Sequence, residues 1–149
     1  MGKGSVLLNL FAYGTLMDPE IMRRVALELP RREPGILRDH ERKALRGRSY
    51  PGLRPRLGGS VEGIVYYEVP PPAWERLDRF EGEMYIRIEV AVLVGGGRTV
   101  SAWTYRIAPG FEGELEDTEW DFAGFVRHGK SSFEREYEGF GDPDREAEN

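Results

Sequence analysis

The strongest constraint on the fold is a two-residue alternation of side chains that runs on both sides of a triple glycine. Branched apolar residues occupy every second position from Ile86 to Val94, and the alternation resumes from Val100 to Ile107, beyond Gly95-Gly96-Gly97. Successive side chains of a β-strand point to opposite faces, so this period is typical of strands, and glycines readily form the tight turn between two of them. The sequence therefore predicts a β-hairpin over residues 86–107.

The length and composition predict one soluble domain. The chain has 149 residues, of which 40% are hydrophobic and 32% are charged, and a chain of this length can bury a sizeable core. It has no run of about 18 apolar residues that could span a bilayer. Residues 1–8 contain one Lys and no small-residue cleavage site, so they do not resemble a signal peptide. We expect a cytoplasmic protein without a membrane partner.

The scarcity of Cys and His excludes several kinds of chemistry. The sequence has no Cys and two His, His40 and His128. This removes disulfides, thiolate nucleophiles and metal sites built on Cys, and it leaves few ligands for a His-rich metal centre. We therefore expect no metal and no cofactor, and a chemistry that relies on carboxylates, hydroxyls, guanidinium groups or backbone amides.

The net charge of −5 argues against a nucleic-acid partner, although the charge is unevenly distributed. Residues 31–56 contain nine basic and three acidic residues, whereas residues 110–149 contain thirteen acidic and four basic ones. Two interpretations of the basic stretch stay open: it attracts an anion, or it is an ordinary charged strand face. Its main basic residues are Arg38, Arg42, Lys43, Arg46, Arg48, Arg54 and Arg56. Nothing in the sequence indicates an oligomer.

The N-terminal part is predicted to form a strand, a glycine-containing turn and a helix. The apolar run from Val6 to Tyr13 is bounded by turn residues and favours a buried strand. Asp18 followed by Pro19 is typical of a helix N-terminus, and Pro30 ends the apolar face that follows.

The middle of the chain is predicted to contain short strands, a long loop and a helix. Residues 35–47 favour one or two short basic strands, and residues 60–69 favour another strand. Between them, residues 48–59 carry repeated prolines and glycines, which predict a long loop. Prolines 70–72 predict the start of a helix that ends near Glu81.

The acidic C-terminal part is predicted to hold two helices, one around Thr118–His128 and one after Ser131. Its aromatic residues form either a partner-binding patch or the surface that docks these helices on the sheet. They are Trp120, Phe122, Phe125, Phe133, Tyr137 and Phe140. We assign residues 1–140 to the folded domain and expect the acidic tail, residues 141–149, to be frayed.

Tyr13-Gly14-Thr15-Leu16, between the first strand and the first helix, is the first candidate site. Glycine lets a ligand approach the backbone closely, and successive amide N–H groups at a strand-to-helix turn form a concave anion site. The alternative is a plain tight turn, because the segment lacks the Lys of a phosphate-binding loop and the spaced glycines of a dinucleotide fold.

Glu81 is the second candidate, on the predicted helix that prolines 70–72 open. At about 100° per residue, Trp74, Leu77 and Glu81 lie on one side of that helix, the side that faces the core. Burial and the negative end of the helix dipole both raise the pKa of a carboxyl group toward that of a general base. The alternative is that the helix frays at Phe80 and Glu81 turns outward.

Several short motifs, in this order along the chain, resemble the gamma-glutamylcyclotransferase-like superfamily, and within it the AIG2-like branch. They are Phe11-Ala12-Tyr13-Gly14-Thr15-Leu16, Gly47-Arg48-Ser49-Tyr50-Pro51, Leu77-Asp78-Arg79-Phe80-Glu81-Gly82 with Tyr85-Ile86-Arg87, and Trp120-Asp121-Phe122. Each motif is short, but together they extend over most of the chain.

The resemblance implies an α+β fold with a mixed, barrel-like β-sheet flanked by helices. It also implies a reaction in which the α-amino group of a γ-glutamyl amide attacks its own side-chain carbonyl, forming 5-oxoproline and releasing an amine. In that reaction Glu81 is the catalytic acid and base, and the backbone amides of Gly14, Thr15 and Leu16 hold the glutamyl end. Tyr13, Tyr50 and Tyr85 are implied as walls or hydrogen-bond partners of the substrate.

The resemblance leaves the leaving amine open: a γ-glutamyl amino acid, glutathione or a γ-glutamyl amine. Two alternatives to an enzyme also stay open, namely a catalytically silent domain that binds a small ligand and a protein-interaction domain. A silent pocket has no need of a carboxylate at position 81, so Glu81 favours the enzyme.

Overall fold

The sheet contains six strands within residues 7–136, the part of the chain that the computed structural model describes. The strands are β1 (Leu8–Ala12), β2 (Arg32–Leu45), β3 (Pro51–Val69), β4 (Tyr85–Val94), β5 (Arg98–Ile107) and β6 (Leu115–Glu119). The predicted hairpin is β4 and β5, which pair antiparallel from Tyr85↔Ile107 to Val94↔Arg98. The alternating pattern thus gave the correct pairing of two strands without any knowledge of the rest of the fold.

The strands close into a ring because β2 pairs with β3 as well as with β4. The order is β3-β1-β5-β4-β2-β6, and β2 also pairs with β3. Most pairs are antiparallel, whereas β1 and β5 run parallel, with Leu10 opposite Trp103. Helices flank this mixed sheet, so the predicted α+β, barrel-like fold is confirmed.

The long ribbon of β2 and β3 corrects two predictions. The loop expected over residues 48–59 is wrong, because residues 51–59 belong to β3. The short strands expected over residues 35–47 are instead part of one strand of 14 residues, β2. The two strands pair from Arg32↔Tyr66 to Ala44↔Pro51, with one irregularity between Arg38 and His40. The half of β3 that contains the prolines pairs only with β2, and proline is tolerated on the free edge of a strand.

Two helices begin at proline, as predicted. In α1 (Pro19–Ala26) the Asp18 carboxylate accepts hydrogen bonds from the backbone N–H groups of Glu20 and Ile21. The helix ends earlier than Pro30, at Leu27, which adopts a left-handed conformation with φ of 62°. The second helix, α2 (Pro71–Glu81), reaches Glu81 without fraying at Phe80.

The C-terminal helix begins later than predicted. The predicted start at Thr118 is wrong because residues 115–119 form β6, which pairs with β2 at Lys43↔Glu119 and Leu45↔Leu115. The helical segment that follows comprises α3 (Phe122–Gly124), a π-helical stretch (Phe125–Gly129) and α4 (Lys130–Glu136). Val6, Tyr137, Phe140 and the predicted tail 141–149 lie outside the described residues.

β1 separates two apolar clusters, because its side chains alternate between them. Leu10 belongs to the cluster under the helices, which also includes Met22, Leu77 and Phe133, whereas Phe11 belongs to the cluster with Leu37, Val65 and Val92. The C-terminal end of β1 therefore lies at the boundary of both clusters. Among the helices of residues 7–136, none is both long and apolar enough to cross a bilayer.

Candidate active site

The loop after β1 is held rigidly by two buried tyrosines. Beyond Ala12 the chain passes through Tyr13 and Gly14 into a 3₁₀ turn, Thr15–Met17. The Tyr13 hydroxyl donates a hydrogen bond of 2.5 Å to the carbonyl of Tyr105, and the Tyr66 hydroxyl donates one of 2.6 Å to the carbonyl of Leu16. Burial, followed by the charge of Glu81, raises the pKa of Tyr13, which keeps its hydroxyl a donor.

The same loop offers unused backbone donors. Gly14, Thr15 and Leu16 are buried and line a cavity. The carbonyls of Gly14 and Thr15 accept from the residues that follow in the turn, but no hydrogen bond within residues 7–136 uses the N–H of Gly14, Thr15 or Leu16. Buried N–H groups are nearly always paired, so these donors are suited to a ligand with negatively charged or carbonyl oxygens.

The requirement for glycine at position 14 comes from Pro51. A Cβ atom on Gly14 would lie 2.9 Å from both Cγ and Cδ of the Pro51 ring. Such a separation is too short for carbon atoms in contact. The sequence predicts that glycine at this position lets a ligand approach the backbone. The structure gives a different reason for glycine, which is the close packing of Pro51, the first residue of β3.

Glu81, at the end of α2, is the second candidate group in this cavity. It is the last residue of α2, and Gly82, with φ of 73°, turns the chain out of the helix. Glu81 is partly buried and lines the same cavity as Gly14, Thr15 and Leu16. Burial, together with the nearby negative charge of Asp78, raises the pKa of Glu81 to about 8. No other described residue forms a hydrogen bond or ion pair with its carboxylate, which leaves both oxygens available to a ligand.

Asp78 lies one helical turn before Glu81 and is fixed by two neighbours. The Tyr105 hydroxyl donates a hydrogen bond of 2.6 Å to its Oδ1, and Arg87 Nη2 lies 3.6 Å from its Oδ2. The negative charge of Asp78 is therefore held close to Glu81. A negative charge beside a carboxyl group favours the protonated form of that group. The charge of Asp78 therefore raises the pKa of Glu81 in addition to the effect of burial.

All seven residues that the sequence predicts for the site line this one cavity: Tyr13, Gly14, Thr15, Leu16, Tyr50, Glu81 and Tyr85. The Tyr85 hydroxyl donates to the carbonyl of Pro51 at 2.7 Å, and Arg48 donates to the Tyr50 hydroxyl at 3.1 Å. Sequence reasoning missed other lining residues, among them Pro51, Phe80, Tyr105 and Phe133. The order of the motifs gave no signal for Tyr105 or Phe133, since they reach the cavity through strand pairing and helix docking.

The remaining candidates lie elsewhere. Much of the basic stretch is engaged locally, since Arg54, Arg56 and Lys43 surround Glu41 at 2.6, 3.5 and 3.8 Å. Trp120, Phe125 and Phe133 are buried in the cluster under the helices, which supports docking over a partner-binding patch. Within residues 7–136, no three His, Asp or Glu side chains are grouped so that they could hold a metal ion.

Known proteins that are similar to this chain point to one family. The profile of the family described as gamma-glutamyl cyclotransferase, AIG2-like, matches residues 10–122. AIG2-like protein C from Arabidopsis thaliana is 29% identical over 138 residues, which cover 89% of this chain and 77% of that protein. An Arabidopsis thaliana protein whose structure was determined in solution is 28% identical and superposes with a TM-score of 0.69 over 89% of both chains.

The fold extends to a more distant enzyme. A solved structure described as gamma-glutamyl cyclotransferase superposes with a TM-score of 0.63 at 19% identity, over 69% of this chain and 68% of that one. At that identity the likeness concerns the fold alone. With a family match over most of the sequence, this chain belongs to the gamma-glutamyl cyclotransferase, AIG2-like family.

Proposed function

We propose that this protein is a γ-glutamyl cyclotransferase, which converts a γ-glutamyl amide to 5-oxoproline and releases an amine. The observation that carries the proposal is the arrangement of one cavity. A carboxyl group with a pKa of about 8, that of Glu81, lies in the same cavity as the unused N–H groups of Gly14, Thr15 and Leu16. Family membership supports the reaction type.

The acid–base part of the reaction matches the properties of Glu81. The substrate's α-amino group is protonated in free solution with a pKa of about 8 and must lose that proton before it can attack. A base whose pKa is close to that of the acid transfers the proton without a large energetic penalty. The raised pKa of Glu81 therefore suits it to take a proton from an ammonium group and to release it again.

The steps balance without water. Ionised Glu81 removes a proton from the α-ammonium group, and the amine nitrogen forms a bond to the side-chain carbonyl carbon, closing a five-membered ring. The carbonyl oxygen becomes an oxyanion, which backbone N–H donors stabilise. When the oxyanion collapses, the bond to the leaving nitrogen breaks and protonated Glu81 gives its proton to that nitrogen. Ionised Glu81 then takes the second proton from the ring nitrogen and passes it to the released amine, so the positive charge of the substrate's ammonium group ends on the leaving amine. Because both reacting groups belong to one molecule, the protein contributes mainly by holding a folded conformer.

The test is the identity of the product. A γ-glutamyl amino acid, glutathione and a γ-glutamyl amine are incubated separately with the protein in water labelled with heavy oxygen, with and without a chelator, and products are identified by mass. We expect unlabelled 5-oxoproline and free amine from at least one of them, unaffected by the chelator. Glu75→Gln, a change on the exposed side of the same helix, is the matched control and should retain activity. Labelled glutamate would show hydrolysis and overturn the proposal, as would absence of 5-oxoproline throughout.

A further inference from the structure

Arg42 lies behind the wall of the cavity and holds the loop after β1 from outside. It belongs to β2, and its Nη1 donates hydrogen bonds to the carbonyl of Tyr13 at 2.8 Å and to the carbonyl of Glu62 at 3.1 Å. Its guanidinium carbon lies 5.5 Å from the centre of the Trp120 ring. Arg42 itself is not among the residues that line the cavity.

This contact fixes the direction of one peptide group. No peptide bond in the described chain is cis, and in a planar trans peptide the C=O and the following N–H point in opposite directions. The Tyr13 carbonyl points outward to Arg42, so the N–H of Gly14 in the same peptide group points the other way. Gly14 lines the cavity and its N–H has no acceptor in residues 7–136. The donor is therefore turned toward the cavity.

Glycine makes such an anchor necessary. A peptide group next to glycine can rotate into several orientations, because the missing Cβ removes most steric barriers. The hydrogen bond from Tyr66 fixes the carbonyl of Leu16. The hydrogen bond from Arg42 to the Tyr13 carbonyl resists rotation of the peptide group between Tyr13 and Gly14. A charged donor also strengthens a hydrogen bond and polarises the peptide group that accepts it, which makes the N–H a better donor.

We propose that Arg42 is a positioning residue for the reaction, which directs the Gly14 N–H to an oxygen of the substrate by holding the Tyr13 carbonyl outside the cavity. The proposal rests on the proposed cyclotransferase function. This role differs from a general contribution to stability, because Arg42 would affect ligand binding by orienting one backbone amide, that of Gly14. Trp120 supports the same arrangement, since it packs on Arg42 and donates to the Ser49 carbonyl beside Tyr50.

The kinetic test compares Arg42→Met with Arg54→Met. Both variants lose one guanidinium group from the same ribbon, but Arg54 contacts Glu41 rather than the loop. We expect kcat/KM for 5-oxoproline release to fall about 10- to 100-fold in Arg42→Met, somewhat less than for outright loss of an oxyanion donor. Arg54→Met should stay within about twofold of the wild type, and Arg42→Lys, which keeps one charged donor, should recover part of the loss. Equal activity of Arg42→Met and Arg54→Met would overturn the proposal and leave the proposed function intact.

A second measurement does not depend on turnover. With ¹⁵N-labelled protein, 5-oxoproline is added as the probe and the amide resonance of Gly14 is followed by NMR. We expect a ligand-induced shift of this resonance in the wild type and Arg54→Met, a reduced shift in Arg42→Lys and none in Arg42→Met. Spectra of the free proteins establish whether each variant is folded. If Arg42→Met does not fold, the comparison is made with Arg42→Lys instead. A wild type that shifts Gly14 but has no turnover overturns the proposed function alone, whereas an unchanged Gly14 shift in the folded Arg42 variants overturns the role of Arg42.

Discussion

Glu81 and Glu41 are two partly buried glutamates in opposite electrostatic surroundings. Glu81 lies in the cavity beside another carboxylate, and its pKa is raised to about 8. Glu41 lies on the β2–β3 ribbon, where burial alone would raise its pKa. The hydrogen bond and charge of Arg54, with the charges of Arg56 and Lys43, outweigh burial and lower the pKa instead. The same side chain is thus kept ready to exchange a proton in one region and charged at neutral pH in the other.

The two carboxylates also differ in their charged partners. The Glu41 carboxylate is surrounded by three cationic groups within 4.0 Å, the closest being Arg54 Nε at 2.6 Å. No cationic side chain in the described chain lies within that distance of the Glu81 carboxylate. A buried carboxyl group without a counter-ion titrates near neutral pH, which is a costly property for stability and a useful one for catalysis. We therefore expect the two regions to respond differently to substitution and to pH.

Removal of the Glu81 carboxylate should have the largest effect. Glu81→Gln keeps the shape of the side chain but cannot accept a proton, so kcat for 5-oxoproline release should fall by about 10² to 10⁴. Glu41→Gln should leave kcat within about twofold, because Glu41 does not line the cavity. Binding of substrate to both variants, measured by calorimetry, should resemble the wild type. Comparable turnover in Glu81→Gln and the wild type would rule out Glu81 as the general base.

Substitution of a glycine should affect activity in the cavity but only stability on the β2–β3 ribbon. In Gly14→Val the new side chain collides with the Pro51 ring, so the loop must move. We expect roughly 10- to 100-fold loss of kcat/KM and about 1–3 kcal/mol loss of stability. In Gly58→Ala, on the ribbon, nothing lies within 4 Å but φ is +84°, so about 1 kcal/mol of stability is lost and activity is retained.

A milder change at the next position tests where the loop contacts come from. Thr15→Ser keeps the backbone and the hydroxyl group, so turnover should change little if the backbone N–H groups bind the substrate. If kinetic assays showed Thr15→Ser to be as damaging as Gly14→Val, a contact from the Thr15 side chain would have to replace the backbone contacts.

The pH dependence of stability should have opposite signs in the two regions. The folded state raises the pKa of Glu81 from 4.5 to about 8, so its folded form keeps a proton that the unfolded chain has lost. Relative to Glu81→Gln, the wild type should be most stable below about pH 4.5 and lose up to about 1.4 kcal/mol per pH unit as pH rises toward 8. The pKa of Glu41 is lowered, so its contribution is present above pH 4.5 and is lost as pH falls. Urea unfolding of the wild type, Glu81→Gln and Glu41→Gln from about pH 2 to 9 measures both, and parallel curves for wild type and Glu81→Gln would contradict the raised pKa.

The sequence predicted the elements whose signals are local. The hairpin of β4 and β5, the start of α1 at Pro19 and the end of α2 at Glu81 each depend on periodicity or capping within a few residues. The motif order also brought seven residues to one cavity, because the loop after β1 and the end of α2 are adjacent in the fold. Their chemical roles stay predictions.

The sequence could not predict what depends on distant pairing. Residues 51–59 contain the prolines and glycines of a loop, yet β2 supplies a partner strand for residues 51–55 and again from Ser60 onward. Leu115–Glu119 resembles the approach to a helix, yet it pairs with the basic edge of β2. Tyr105 and Arg42 act on the site through carbonyl and hydroxyl contacts with segments far away in the chain. No local pattern encodes such contacts.

The smallest expected effect concerns the charge next to Glu81. In the wild type, activity should rise with pH through about 8, since Glu81 must be ionised to act as a base. Asp78→Asn removes the negative charge that helps to raise this pKa while keeping an oxygen that can accept the hydrogen bond from Tyr105. The pKa of Glu81 should then fall, and the midpoint of the pH–rate profile should move to lower pH by less than about one unit, because burial is the larger cause.

The difference between the pH–rate midpoints of the wild type and Asp78→Asn separates the titration of Glu81 from that of the substrate. The α-ammonium group of the substrate also titrates near pH 8 and contributes to every profile, but its contribution is identical in wild type and variant. Glu83→Gln is the matched control, because Glu83 is exposed and is not among the charges that shift Glu81. The pKa of Glu81 itself can be followed by ¹³C NMR of its carboxyl carbon without substrate. A midpoint that stays in place in Asp78→Asn, or moves equally in Glu83→Gln, would show that the charge of Asp78 makes no specific contribution to the raised pKa of Glu81.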